Sequence, residues 1–292
     1  RLIGIPGVLT SARYDASGRV TQMTLANGVV TSYEYSAQRG ALTAIASTWT
    51  GNNTGTADTR GTSVIQDLRY TYDLAGRIMG VTSPFPGENW AYGYDAADQL
   101  TTATNLTVPA ASQSFTYDDL GNLVYNSALG AYSYGPAGGP RPHAVRQVGA
   151  ATYSYDGNGN LLSGGGRTLT WDADNRPLTA GDTSFVYDGE GVRLQKSGPL
   201  GTSHYLGDDY EIATSSRGGA ITTKYFSVGG HLVAQKVGGT MSWLHTDQQG
   251  SVRAITDADG QLLQRFGYAP YGSRTATTDL PEVRGYTGQR HD

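Results

Sequence analysis

The chain has 292 residues, no cysteine and a net charge of −4, with both signs spread along its length. The lack of cysteine excludes disulfides and thiolate metal sites. The lack of any basic run argues against nucleic acid or an anionic membrane as a partner, and no apolar stretch is long enough for a transmembrane helix, so no membrane insertion is expected. Glycine (41) and tyrosine (20) are abundant, whereas phenylalanine (5) and methionine (3) are scarce. That composition suits strands and tight turns, and no segment sustains a 3.6-residue apolar period.

From the N-terminus, Arg1-Leu-Ile-Gly-Ile-Pro6 lacks the apolar region and cleavage site of a signal peptide. The first copy of a recurring phrase follows at Tyr14-Asp15-Ala-Ser-Gly18-Arg19-Val20. Tyr33-Glu-Tyr35 keeps an aromatic pair without the Asp. Residues 50–64 are polar and read as a long surface loop. The phrase returns as Tyr70-Thr-Tyr72-Asp73-Leu-Ala-Gly76-Arg77-Ile78, then as Tyr92-Gly-Tyr94-Asp95 with Asp98 in place of Gly, then as Phe115-Thr-Tyr117-Asp118-Asp-Leu-Gly121-Asn122-Leu123. Tyr132-Ser-Tyr134 again lacks Asp and leads into a proline-rich loop at 135–143 whose prolines disfavour ladder pairing. Three more copies follow at Tyr153-Ser-Tyr155-Asp156-Gly-Asn-Gly159-Asn160-Leu161, at Leu169-Thr-Trp171-Asp172-Ala-Asp-Asn175-Arg176-Pro-Leu178, and at Phe185-Val-Tyr187-Asp188-Gly-Glu-Gly191. The step between well-formed copies is roughly 16 to 23 residues, the length of one hairpin and its connection.

The phrase has a physical reading. Residues i and i+2 of a strand share a face, so the two aromatics lie together. Asp opens a type I turn because its carboxylate accepts nearby backbone N–H groups. Gly, or Asn at 175, closes the turn with positive φ, which allows a bulge and returns the chain. The aliphatic two residues later covers the tyrosine side. The expected architecture is all-β, built from repeated antiparallel hairpins. Tyr14, Tyr72, Tyr94, Tyr117, Tyr155, Trp171 and Tyr187 are the expected structural aromatics. Asp73, Gly76, Asp118, Gly121, Asp156 and Gly159 are the expected turn residues.

Candidate chemistry is thin. Asp156-Gly-Asn158-Gly-Asn160 begins like a calcium loop, but Leu161 and Arg167 occupy the positions of the required Gly and bidentate acid, so a turn is favoured. His245 and Asp247, two apart in a strand, would face one way, yet no nucleophile can be paired with them. Asp118-Asp119 and Asp208-Asp209 are adjacent and would point to opposite faces, which does not suit two acids flanking one glycosidic bond. The tyrosines could stack on sugars, but cross-strand ladders are the simpler role. No catalytic residue, cofactor or metal site is expected.

Beyond residue 200 the phrase changes. Trp243-Leu-His245-Thr-Asp247-Gln-Gln-Gly250-Ser251-Val252, Thr256-Asp257-Ala-Asp-Gly260, Tyr268-Ala-Pro270-Tyr271-Gly272 and Tyr286-Thr287-Gly288-Gln289 follow in order. The earlier phrase resembles the YD (Rhs) repeat, and this ordered stretch is similar to the Rhs repeat-associated core segment, marked by His245, Asp247, Gly250, Asp257, Gly260, Pro270, Tyr271 and Gly272. The resemblance covers nearly the whole chain. It implies a spiralling sheet forming part of a hollow shell, with YD repeats at 1–200, later repeats and core-like segment at 201–292, and one domain throughout. It further implies a secreted or cell-surface bacterial protein whose shell encloses a C-terminal toxin or effector polypeptide. Insecticidal Tc toxin C components and teneurins carry similar shells. The sequence stops at Gln289-Arg-His-Asp292, before the family's self-cleavage segment and before any toxin. With so few hairpins, an open spiral with an exposed aromatic face is expected. The alternative function is an extracellular module binding a glycan or a protein receptor.

Overall fold

The computed structural model describes residues 2–50, 63–136, 138–275 and 284–290. Most of the polar loop expected at 50–64 lies outside them. The described residues are all-β, with only three single-turn 3-10 helices, at Pro109–Ala111, Pro270–Gly272 and Tyr286–Gly288. None of their helices is long and apolar enough to cross a membrane. The strands form two 13-stranded antiparallel sheets in which strand order follows chain order, from Leu9–Tyr14 to Ala151–Thr152 and from Ser154–Tyr155 to Leu262–Arg265. Such an order needs only short hairpin connections, as the closely spaced turn signals require. The chain divides into two compact units: residues 1–93, 103–112 and 224–292, and residues 94–102 and 113–223.

The first unit holds a two-sided core. Val8, Leu25, Val29, Trp49 and Ile65 from the N-terminal hairpins pack against Val228, Val233, Ala234, Trp243 and Ala254 from the C-terminal strands. The Trp243 indole N–H donates to the Val8 carbonyl across this core, 2.8 Å away. A second cluster unites Leu244, Val252, Ile255, Phe266 and Tyr268, with Tyr286 against it. Strand Val252–Thr256 is therefore buried along its whole length. Its sequence does not alternate apolar and polar residues because it has no wet face. In this unit the expected exposed apolar face is absent: the C-terminal strands cover it.

The second unit has a sparser interior. Phe115, Phe185 and Tyr205 are its buried large apolar side chains among the described residues, and the three packed core clusters all lie in the first unit. Its strands alternate half-buried with exposed residues, as in Gln113–Tyr117 and Thr183–Tyr187. What holds these hairpins together is local and repeated.

Candidate functional site

Each well-formed copy of the phrase makes the same turn. The Asp N–H donates to the carbonyl four residues on, and the N–H at the fourth position returns to the Asp carbonyl, as in Asp73 with Arg77 and Gly76. One carboxylate oxygen of Asp156 accepts the N–H groups of Asn158 and Asn160, and the other accepts the Asn160 side-chain amide. That carboxylate is filled by N–H donors, which is turn chemistry rather than calcium ligation. Side-chain donation from Asn122 to Asp118 and from Asn160 to Asp156, and backbone donation from Arg176 to Asp172, are the largest of the effects that hold these carboxyls below their ordinary value. Gly76, Gly121 and Gly159 have φ of 89°, 81° and 93°, and Asp98 and Asn175 take the same position at 64° and 61°. The ladder shifts register by one residue at the aromatic, at Tyr72 and Trp171 for example. Asp119, beside Asp118, is simply the next residue of its turn.

The tyrosines form a relay. Tyr117 pairs across its hairpin with Leu123, and Tyr134 of the next hairpin donates its hydroxyl to the Leu123 carbonyl at 2.8 Å. Tyr134 pairs with Val145, whose carbonyl accepts from Tyr155 at 2.9 Å. Tyr155 pairs with Leu161, whose carbonyl accepts from the Trp171 indole at 2.7 Å. Tyr117 itself donates to the Leu100 carbonyl, 2.9 Å away. The first unit repeats the device: Tyr14 pairs with Val20, Tyr35 donates to the Val20 carbonyl at 2.9 Å, Tyr35 pairs with Leu42, and Tyr72 donates to the Leu42 carbonyl at 2.6 Å. Tyr14 also donates to the Leu2 carbonyl. Tyr94 ends strand Trp90–Tyr94 beside the turn containing Asp98. Tyr187 pairs with Arg193 and lies under the Arg176 guanidinium, 5.7 Å away. A bulged strand opens a carbonyl that the next aromatic can reach, so one phrase both turns its own hairpin and fastens itself to the one before.

The polar residue after Gly has a role that sequence reasoning passed over. Arg19 grips Asp15 at 2.7 Å, donates to the Gly40 carbonyl in the next turn, and lies 4.4 Å from the centre of the Tyr35 ring. Arg176 grips Asp172 and reaches the Asp188 carbonyl. The two copies without Asp are accommodated differently. Ser36 opens a turn one residue longer, closed by the Gly40 N–H on its carbonyl. After Tyr134 the chain runs through residues 135–144 before pairing resumes at Val145.

The core-like segment continues the same turns. Asp247 accepts the N–H groups of Gln249 and Ser251, and Asp257 those of Asp259 and Gln261. Gly250 and Gly260 close them at φ of 82° and 74°. A Cβ on Gly260 would collide with the Trp49 indole. Ala269 and Gly285 stand where Asp would be, yet their turns close identically at Gly272 and Gly288. Tyr268, just before the Ala269–Pro270 step, donates to the Val252 carbonyl at 3.0 Å, so it is another relay aromatic. Tyr271 sits in its turn at φ 63° and is exposed, and a Cβ on Gly272 would strike the Tyr286 ring. His245 and Asp247 do not converge: the strand ends at Thr246 and Asp247 opens the turn, while the His245 Nε2 lies 3.0 Å from the Thr256 hydroxyl.

Around Asp247 the first unit buries a charge cluster. Arg253 lies 3.4 Å from Glu88 and 3.7 Å from Asp247, and Arg265 lies 3.6 Å from Glu88. Ser83 donates its hydroxyl to Glu88. Arg265 also donates to the Ile65 carbonyl and sits over the Phe85 ring, and Gln66 donates to the Thr246 carbonyl. Burial pushes the Asp247 carboxyl above its ordinary value and holds the Arg265 guanidinium below its own. These groups join the N-terminal hairpins to the C-terminal strands. Glu88, Gln66, Arg253 and Arg265 carried no local signal, because their partners lie far away in sequence.

Hairpins that repeat one turn and one aromatic fastening define a β-repeat protein. Comparison with known proteins makes this specific: residues 14–52 match the family described as RHS Repeat. It is 28% identical, over 96% of its length, to the tRNA3(Ser)-specific nuclease WapA of Bacillus spizizenii. It is 29% identical, over 45% of its length, to the toxin subunit YenC1 of Yersinia entomophaga. It spans 12% and 14% of those two relatives. Among solved structures it resembles TcdB2-TccC3 with a TM-score of 0.74 at 18% identity, over 98% of this chain and 17% of that one.

Proposed function

We propose that the chain is a length of structural wall in a secreted RHS-type protein, and that the wall encloses a toxin or effector polypeptide. The observation that carries this reading is the relay, in which the recurrent Tyr and Asp groups are consumed in turning hairpins and fastening them to their neighbours. The relatives fit it, since one is named a toxin subunit and another a nuclease of which this chain matches only a small part. The wall itself is then non-enzymatic. A glycan- or receptor-binding module is less well supported, because six relay tyrosines already donate their hydroxyls to backbone carbonyls. The test is protease protection of the full natural protein that contains this segment. The enclosed polypeptide should resist cleavage while the wall is folded and become sensitive when the wall is denatured. Cleavage at the rate of the free polypeptide would overturn the proposal.

A further inference from the structure

The joint inside the first unit contains a hydrogen-bond chain that no relay contact explains. Asn27, in the turn after the second N-terminal strand, donates its side-chain amide to the Thr256 hydroxyl oxygen at 2.9 Å and to the Asp257 carbonyl at 2.8 Å. The Thr256 oxygen lies 3.0 Å from His245 Nε2. The Thr256 hydroxyl oxygen has two lone pairs, so besides accepting from Asn27 it either donates to a neutral Nε2 or accepts from an Nε2–H, according to the His245 tautomer. Asn27, His245 and Thr256 are all buried, and Nδ1 has no hydrogen-bond partner among the described residues. In either tautomer a second ring proton places a positive charge on a buried imidazole that is 3% exposed. No carboxylate among the described residues is paired with the imidazole. The cation that acts on it is Arg265, which is itself joined to Glu88, while Arg253 bridges Glu88 and Asp247.

We propose that His245 is an acid-sensitive latch: its neutral ring fastens the C-terminal strands to the N-terminal hairpins through Thr256 and Asn27, and protonation releases that fastening. The inference concerns the joint itself and is independent of what the wall encloses. Burial, and then the Arg265 charge, hold the imidazole down to about 3. A group lowered from 6.5 in this way stabilises the closed form fully above pH 6.5 and loses that contribution as pH falls from 6.5 toward 3. Asp247, raised by burial, acts in the opposite sense, with stability lost as pH rises through its folded value. The wild-type response alone therefore understates the histidine, and a variant must isolate it.

The experiment is amide hydrogen exchange on the full chain at pH 7.5 and pH 5.0, corrected for intrinsic rates and read at residues 27–31 and 243–246. On acidification the wild type should lose about 30-fold more protection there than His245→Gln, which keeps an acceptor but does not titrate near neutrality. Equal losses in the two proteins would overturn the proposal. NMR of the wild-type imidazoles supplies a test that needs no variant. His245 should stay neutral at pH 5 while the joint is closed, and a ring that titrates near pH 6.5 with protection intact would overturn the proposal equally.

Discussion

The two units use one phrase to different ends. In the second unit the hairpins are held by what the phrase supplies: Asp and Gly or Asn turns, an aromatic fastened to the previous hairpin, and an Arg or Asn reaching back to the Asp. Its interior is sparse, and its stability should behave as a sum of hairpin and nearest-neighbour contributions. The first unit adds contacts between residues more than 150 positions apart: Trp243 on Val8, Arg265 on Ile65, Gln66 on Thr246 and Asn27 on Thr256. A repeat lattice can thus be left as a lattice or be locked by a few non-local groups, and among the described residues the packed core clusters lie in the locked part.

Substitutions can break or sharpen that contrast. The largest effect should come from Trp243→Ala. It opens a cavity worth about 3–5 kcal/mol and loses the indole bond to Val8, worth about 1 kcal/mol more. Denaturant unfolding followed by probes in each unit should show the loss in the first unit alone, and an equal loss in both would break the distinction. Glu88→Gln should follow at about 3–5 kcal/mol, because it takes the carboxylate from Arg265 and leaves Arg253 with Asp247 alone. Its signature would be loss of protection at residues 63–66 and 252–265, whereas unchanged stability would mean that the ion cluster is not a fastening.

Acid should separate the units in a different way. The carboxyls of Asp118, Asp156 and Asp172 lie below their ordinary 3.8, so their contribution is present above that pH and is lost as pH falls below it. A circular-dichroism pH titration should leave the second unit intact to about pH 4. Loss of its strands already at pH 6 would contradict the turn electrostatics. Smallest of all, Tyr117→Phe removes one hydroxyl-to-carbonyl bond and should cost about 1 kcal/mol, and a value near zero would mean that ring packing alone holds the hairpins.

Much of this was legible in the sequence. Period-two aromatics, Asp at the turn entry and Gly at its exit specify a hairpin without any long-range knowledge. Asn175 and even Asp98 preserve the positive φ that Gly supplies elsewhere. The turns at Ala269 and Gly285 were hidden because they keep the backbone and drop the side chain that advertises it. The relay was half visible: tyrosines on one face could be read, but the carbonyl each one meets belongs to a neighbouring hairpin. Glu88, Arg253, Arg265 and Asn27 were out of reach, since nothing near them in sequence names a partner. For the same reason the apolar face expected to lie open proved, in the first unit, to be packed against the C-terminal strands.

The central claim is that each relay aromatic fastens its hairpin to the preceding one. It is tested most directly by residue-resolved hydrogen exchange on Tyr155→Phe. Loss of one bond of about 1 kcal/mol should cut protection roughly fivefold at Val145–Val148 and Ser154–Tyr155, while Thr183–Tyr187 stays as it was. Unchanged protection at Val145–Val148, or a uniform loss across the second unit, would contradict the account.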